Sequence, residues 1–143
     1  MNATELRVGN IVNVYQSDGI IAPWVLTKSL LGDILVGDEF EINFRDISPV
    51  PITNDILEKF GFTHVHIGGR SMMVSDDPYG RKSYTVTENT DIAAGYWCFI
   101  ITDFPPEGNM GKDTVFVTRK LQFLHQLQNL IFSLCQTELN IEL

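Results

Sequence analysis

Cysteine occurs only twice, at Cys98 and Cys135, and never as a CxxC pair. That argues against a disulfide framework or a thiolate metal cluster, and two widely spaced cysteines read as reduced core thiols. Basic residues are scarce: 10 Lys and Arg stand against 18 Asp and Glu, for a formal net charge of −8. Such a chain repels phosphate backbones at long range, so nucleic acid is not an expected partner. No apolar run approaches the ~20 residues that span a bilayer. The opening "MNATELRVGN" also lacks the basic and apolar regions of a signal peptide. A cytoplasmic protein without a membrane partner is the expectation. GxGxxG, Walker A, GxSxG and HExxH are all missing, so no cofactor is expected and no nucleophile is singled out.

What is present is a globular composition, 44% hydrophobic and 20% charged over 143 residues. "ELRVGNIVNVYQ", "IIAPWVLTKSL" and "DILVGDEFEINF" read as short strands separated by Gly9, Gly19, Gly32 and Gly37. They predict a small SH3-like β-barrel over residues 1–50. "SPVPIT" then breaks the pattern, and Thr53 is placed to cap a two-turn helix over "NDILEKF" that Gly61 ends. "FTHVHI", "SMMVS", "KSYTVT", "YWCFIIT" and "DTVFV" follow as an antiparallel β-meander, with "GGR" at Gly68–Arg70 as a hairpin turn. Thr118 is placed to cap a long helix reaching about Gln136, and "ELNIEL" reads as a short terminal strand. The fold expectation is therefore α+β: a small barrel, a short helix, and a meander closed by the long C-terminal helix, with residues 51–143 as the second subdomain.

The long helix, "LHQLQNLIFSLCQTE", carries amides where a surface helix carries Lys and Glu. Phe123, Leu127, Leu130 and Leu134 form a stripe at 100° per residue, with Leu124, Ile131 and Cys135 beside it. Gln128 falls inside that apolar arc and His125 at its edge. Gln126 and Asn129 lie on the remaining, uncharged face. Amides cost little to bury when each finds a hydrogen bond, so this helix is expected to be covered on most sides. His125, Gln126, Gln128 and Asn129 are accordingly structural or interface candidates, and a catalytic role for His125 with Gln128 or Asn129 is the lesser reading.

His64 and His66 share one face of a strand, a spacing a zinc or iron site can use. No third ligand has credible spacing, so no metal site is expected and the pair remains a weak candidate. Val65, Ile67 and Phe62 are expected on the core face, leaving the imidazoles wet. Trp24, Trp97 and Tyr96 read first as core anchors and second as an aromatic surface.

The blocks carried by Glu5, Leu6, Arg7, Gly9, Asn10 and Val12, by Pro51, Thr53, Leu57, Lys59, Gly61 and Phe62, and by His125, Leu127, Gln128, Asn129, Leu130 and Leu134 support a resemblance. In that order the chain resembles an uncharacterised Bacteroidetes family of short proteins associated with prophages and mobile elements. Its members show ELRxGNxV, P-[IL]-TxxxLxKxGF and HxLQNLxxxL patterns. The blocks cover about a third of the chain, and this sequence departs from the family at Cys135-Gln136, where Thr-Gly is usual. The resemblance implies an accessory protein and no assigned activity. A non-enzymatic binding module contacting a protein partner or itself is the leading expectation. A small metal-dependent hydrolase using His64 and His66, or an acidic mimic of nucleic acid, are the alternatives.

Overall fold

Strand β1 (Ile11–Tyr15) is the middle of the first sheet, because its β-branched residues have partners on both sides. The computed structural model describes residues 5–36, 44–67, 70–76, 82–88, 95–103 and 113–135. β2 (Ile21–Val25) and β3 (Ile47–Pro49) flank β1, both antiparallel to it. Val12 and Val14 point to one side, into a cluster with Leu6, Leu26, Ile34 and Ile47. Helix α1 (Lys28–Val36) covers that cluster with Leu30, Leu31 and Ile34.

The helix replaces part of an expected strand. "DILV" alternates weakly, but Thr27 Oγ1 accepts the Leu30 N–H at 3.2 Å. That is a helix cap, and the apolar spacing 30, 31, 34 is helical. Gly32, expected as a strand spacer, lies inside α1. Residues 37–43, with Gly37 among them, lie outside the described set.

The second sheet is a five-stranded meander in the order β4-β5-β6-β7-β8. Its strands are β4 (Thr63–Ile67), β5 (Arg70–Asp76), β6 (Lys82–Glu88), β7 (Trp97–Asp103) and β8 (Asp113–Leu121). Met73, Val86 and Phe99 are directly opposed across three strands and fully buried, so they define the core face. Tyr84 stacks on Phe99 at 6.1 Å. Helix α2 (Asn54–Lys59) leads into β4 and is held at both ends. Thr53 Oγ1 accepts the Ile56 N–H, while Gly61, at φ 80°, lets Phe62 N–H reach Leu57 C=O at 3.0 Å and Gly61 N–H reach Glu58 C=O at 2.9 Å. Those two bonds are a Schellman closure, with Phe62 and Leu57 both buried. The turn at residues 68 and 69, and the tail beyond Cys135, fall outside the described residues.

Thr118 is not a cap. β8 continues through it to Leu121, pairing Thr118 with Phe99, and helix α3 (Leu124–Cys135) starts three residues after the strand. Its first turn is closed instead by Gln126, whose Oε1 accepts the Phe123 N–H at 3.2 Å. A Gln at the third helical position reaching back in this way is half of a capping box.

The chain divides into two compact units, Met1–Pro51 with Phe123–Leu143, and Ile52–Gln122. α3 therefore groups with the first sheet and touches β1, a return that a continuous division at residue 50 does not include. Leu124 N–H bonds Val50 C=O at 2.9 Å, Pro51 bridges Phe123, and Ile52 N–H bonds Gln122 C=O at 3.0 Å.

Candidate functional site

Three groupings of side chains stand out, and the first is the amide face of α3. Gln128 is 0% exposed, and its amide is engaged at both ends: Oε1 accepts the Ile11 N–H at 2.9 Å and Nε2 donates to Gly9 C=O at 3.0 Å. Asn129 Oδ1 accepts from Arg7 Nε at 2.7 Å and from Asn10 Nδ2 at 2.9 Å, and its Nδ2 donates to Glu5 C=O at 2.6 Å. Arg7 also donates from Nη2 to Gln128 C=O and lies 4.3 Å over the Phe132 ring. Asn10 is buried, and its Oδ1 accepts the Arg7 N–H, which shapes the turn before β1.

This network binds Glu5–Ile11 to one face of α3 and uses the polar atoms it brings together. Its chemistry is positional. His125, also 0% exposed, stacks on Phe123 at 6.0 Å. Neither ring nitrogen has a hydrogen-bond partner among the described residues, and Glu5 Oε2 is 3.6 Å from Nε2. Burial pushes the imidazole below its ordinary value, against the opposing pull of the Glu5 carboxylate. A fully buried imidazole stacked on Phe123 fits the structural role expected of His125.

The second grouping is the β1–β2 hairpin. Tyr15, Ile20, Ile21, Trp24 and Val25 are all exposed, with Ile20 and Ile21 each more than half so. Tyr15 opposes Ile21 in the register and Ile11 opposes Val25, so Tyr15, Ile21 and Val25 share a face, while Trp24 opposes Val12 on the other. The ladder bonds Gln16 N–H to Ile20 C=O and Leu26 N–H to Asn10 C=O make Asn13↔Pro23 a non-hydrogen-bonded pair. Pro23 thus directs its missing N–H to the free edge of β2. A proline there blunts edge-to-edge pairing while leaving the apolar side chains in place.

The third is the histidine pair. His64 opposes Met73, which opposes Val86, which opposes Phe99. The imidazoles therefore lie on the core face of the meander, together with Phe62, and not opposite it as the alternation suggested; Val65 takes the other face. They are exposed because β4 is the edge strand, and the buried row ends at Met73. The two rings are 5.6 Å apart, and His64 Nε2 is in a short hydrogen bond with Ser71 Oγ. Among the described residues no group of three His, Cys, Asp or Glu is arranged to hold a metal ion.

Arg7, Asn10 and Ser71 escaped the sequence reading. The signal for the first two was their place in a Gly-Asn turn block paired with an amide-rich helix. Ser71 gave none. Trp97 is buried as a core anchor, with no partner for its Nε1 among the described residues, whereas Trp24 is partly exposed. Cys98 is buried. Among the described residues no helix is long and apolar enough to cross a membrane. Comparison with family models, curated proteins and solved structures finds no match for the chain.

Proposed function

We propose that this protein is a non-enzymatic binding module of the cytoplasm, an accessory protein of the prophage- or mobile-element-associated kind that it resembles. It contacts a protein partner, or a second copy of itself, through the β1–β2 hairpin. The observation that carries this reading is the cluster of exposed apolar side chains at Tyr15, Ile20, Ile21 and Val25 on one short hairpin. Leaving such side chains in water forgoes about 25 cal/mol per Å² of burial, and contiguous exposed apolar surface marks interaction sites. The acid excess, −8 overall, supports a protein rather than a nucleic-acid partner.

A photo-crosslinking residue at position 21 in the native cell tests the reading, with position 120 as an exposed control. The expected result is one discrete adduct from position 21. Its partner, once purified, rebinds the wild type and fails to bind Ile21→Lys/Val25→Lys. No adduct, or an adduct whose partner binds the variant equally well, overturns the reading.

A further inference from the structure

The edge strand β4 carries a feature that the hairpin reading does not use. His64 and His66 are both exposed on one face of β4, the outermost described strand of the meander, with their ring centroids 5.6 Å apart. Two imidazole nitrogens at ~2.0–2.1 Å from one ion place the ring centres about 4.5–5 Å apart, from square-planar to tetrahedral angles. The observed spacing lies within a small side-chain adjustment of that range. His64 is also oriented: its Nε2 is engaged by Ser71 Oγ, a residue whose own strand position is fixed by the pairing of His66 with Ser71. Thr87 Oγ1 donates to Ser71 C=O at 3.1 Å, tying β6 to the same point.

We propose that His64 and His66 form an open divalent transition-metal site, with Ser71 as the residue that positions His64. With the Nε2 proton donated to Ser71 Oγ, the lone pair of His64 stands on Nδ1 and is available to the ion. A ligating imidazole ordinarily makes such an outer hydrogen bond, which fixes its tautomer and raises its basicity. Water fills the remaining positions. Imidazole donors favour Cu(II) over Zn(II), following the general order of affinities for such sites. An open site of two protein ligands exchanges its ion readily, unlike a closed structural zinc site.

Calorimetric titration of the untagged full chain with Cu(II) alone, and with Zn(II) alone, tests this. We expect one ion per chain, bound more tightly for Cu(II), with two nitrogens resolved in the electron paramagnetic resonance spectrum. His64→Gln or His66→Gln weakens binding at least 100-fold, and Ser71→Ala weakens it about tenfold, as loss of an outer-shell partner does. Thermal unfolding without metal confirms that each variant folds. Binding that survives both histidine substitutions, or a stoichiometry other than one, overturns the site. An affinity unchanged in Ser71→Ala overturns the positioning role and identifies adventitious surface chelation.

Discussion

Gln128 and Ile11 lie 117 positions apart in sequence and are joined by a 2.9 Å hydrogen bond from the Ile11 amide to the Gln128 side-chain oxygen. The bond is buried, and the same side chain donates an N–H to Gly9 C=O. One amide thus completes a strand that has no third strand over those atoms. Gln128 sits among Leu124, Leu127 and Ile131, all at or below 1% exposure, so water offers no substitute.

Gln128→Leu keeps volume and helix propensity but leaves a buried N–H and a carbonyl without that partner. The expected loss is about 2 kcal/mol with the fold retained, read by urea denaturation. Gln126→Leu removes the cap acceptor for Phe123 at a partly buried site and should cost about half as much. A neutral Gln128→Leu would mean that these backbone groups find water.

Arg7 joins Glu5–Asn10 to α3 through its planar fork, not through charge alone. Arg7→Lys keeps the charge and loses both the Nε bond to Asn129 and the stack on Phe132. A destabilisation of about 1–2 kcal/mol is expected. In a double-mutant cycle Arg7→Lys and Asn129→Ala should be non-additive by at least ~0.5 kcal/mol, since they share one bond. Additive effects would show that the contact contributes nothing.

His125 makes stability depend on pH. Burial holds its folded-state affinity for protons below that of the unfolded chain, whose histidine titrates near 6.5. The folded state therefore binds fewer protons in that window, and stability is greatest above pH 6.5 and falls as pH drops toward the folded value. Unfolding free energies of the wild type and His125→Phe, measured from pH 8 to 5, should differ by a constant above pH 7. Below 6.5 the wild type should lose stability relative to the variant. A difference that runs the other way would mean that attraction to Glu5 exceeds the cost of burial.

The α+β class was legible because the periods are strong: alternation in β4 to β7 and a helical arc in α3. The caps at Thr53 and Gly61 were legible because single residues carry them. α1 was misread because "DILV" is short, β-branched at both Ile and Val, and followed by acids, so its helical character depends on Thr27 and on packing over Val12 and Val14. The face of the His pair was misjudged by one residue of parity, and such a slip moves every side chain to the other side of the sheet. Burial of Gln128 followed from the helical arc. Its partners did not, because nothing local in "LQNL" names a strand more than a hundred residues earlier.

The hydrogen bonds that pair Val50 with Leu124 and Ile52 with Gln122 give the chain an order of events during synthesis. The meander is made of consecutive residues, and every strand it needs has left the ribosome before α3 does. The first sheet is made earlier yet stays unfinished, because the amides that close over Gly9 and Ile11 are among the last to be translated. The usual sequence, N-terminal part first, is therefore reversed. The Ile11 N–H and the Gly9 C=O wait for their amide partner until Gln128 is translated.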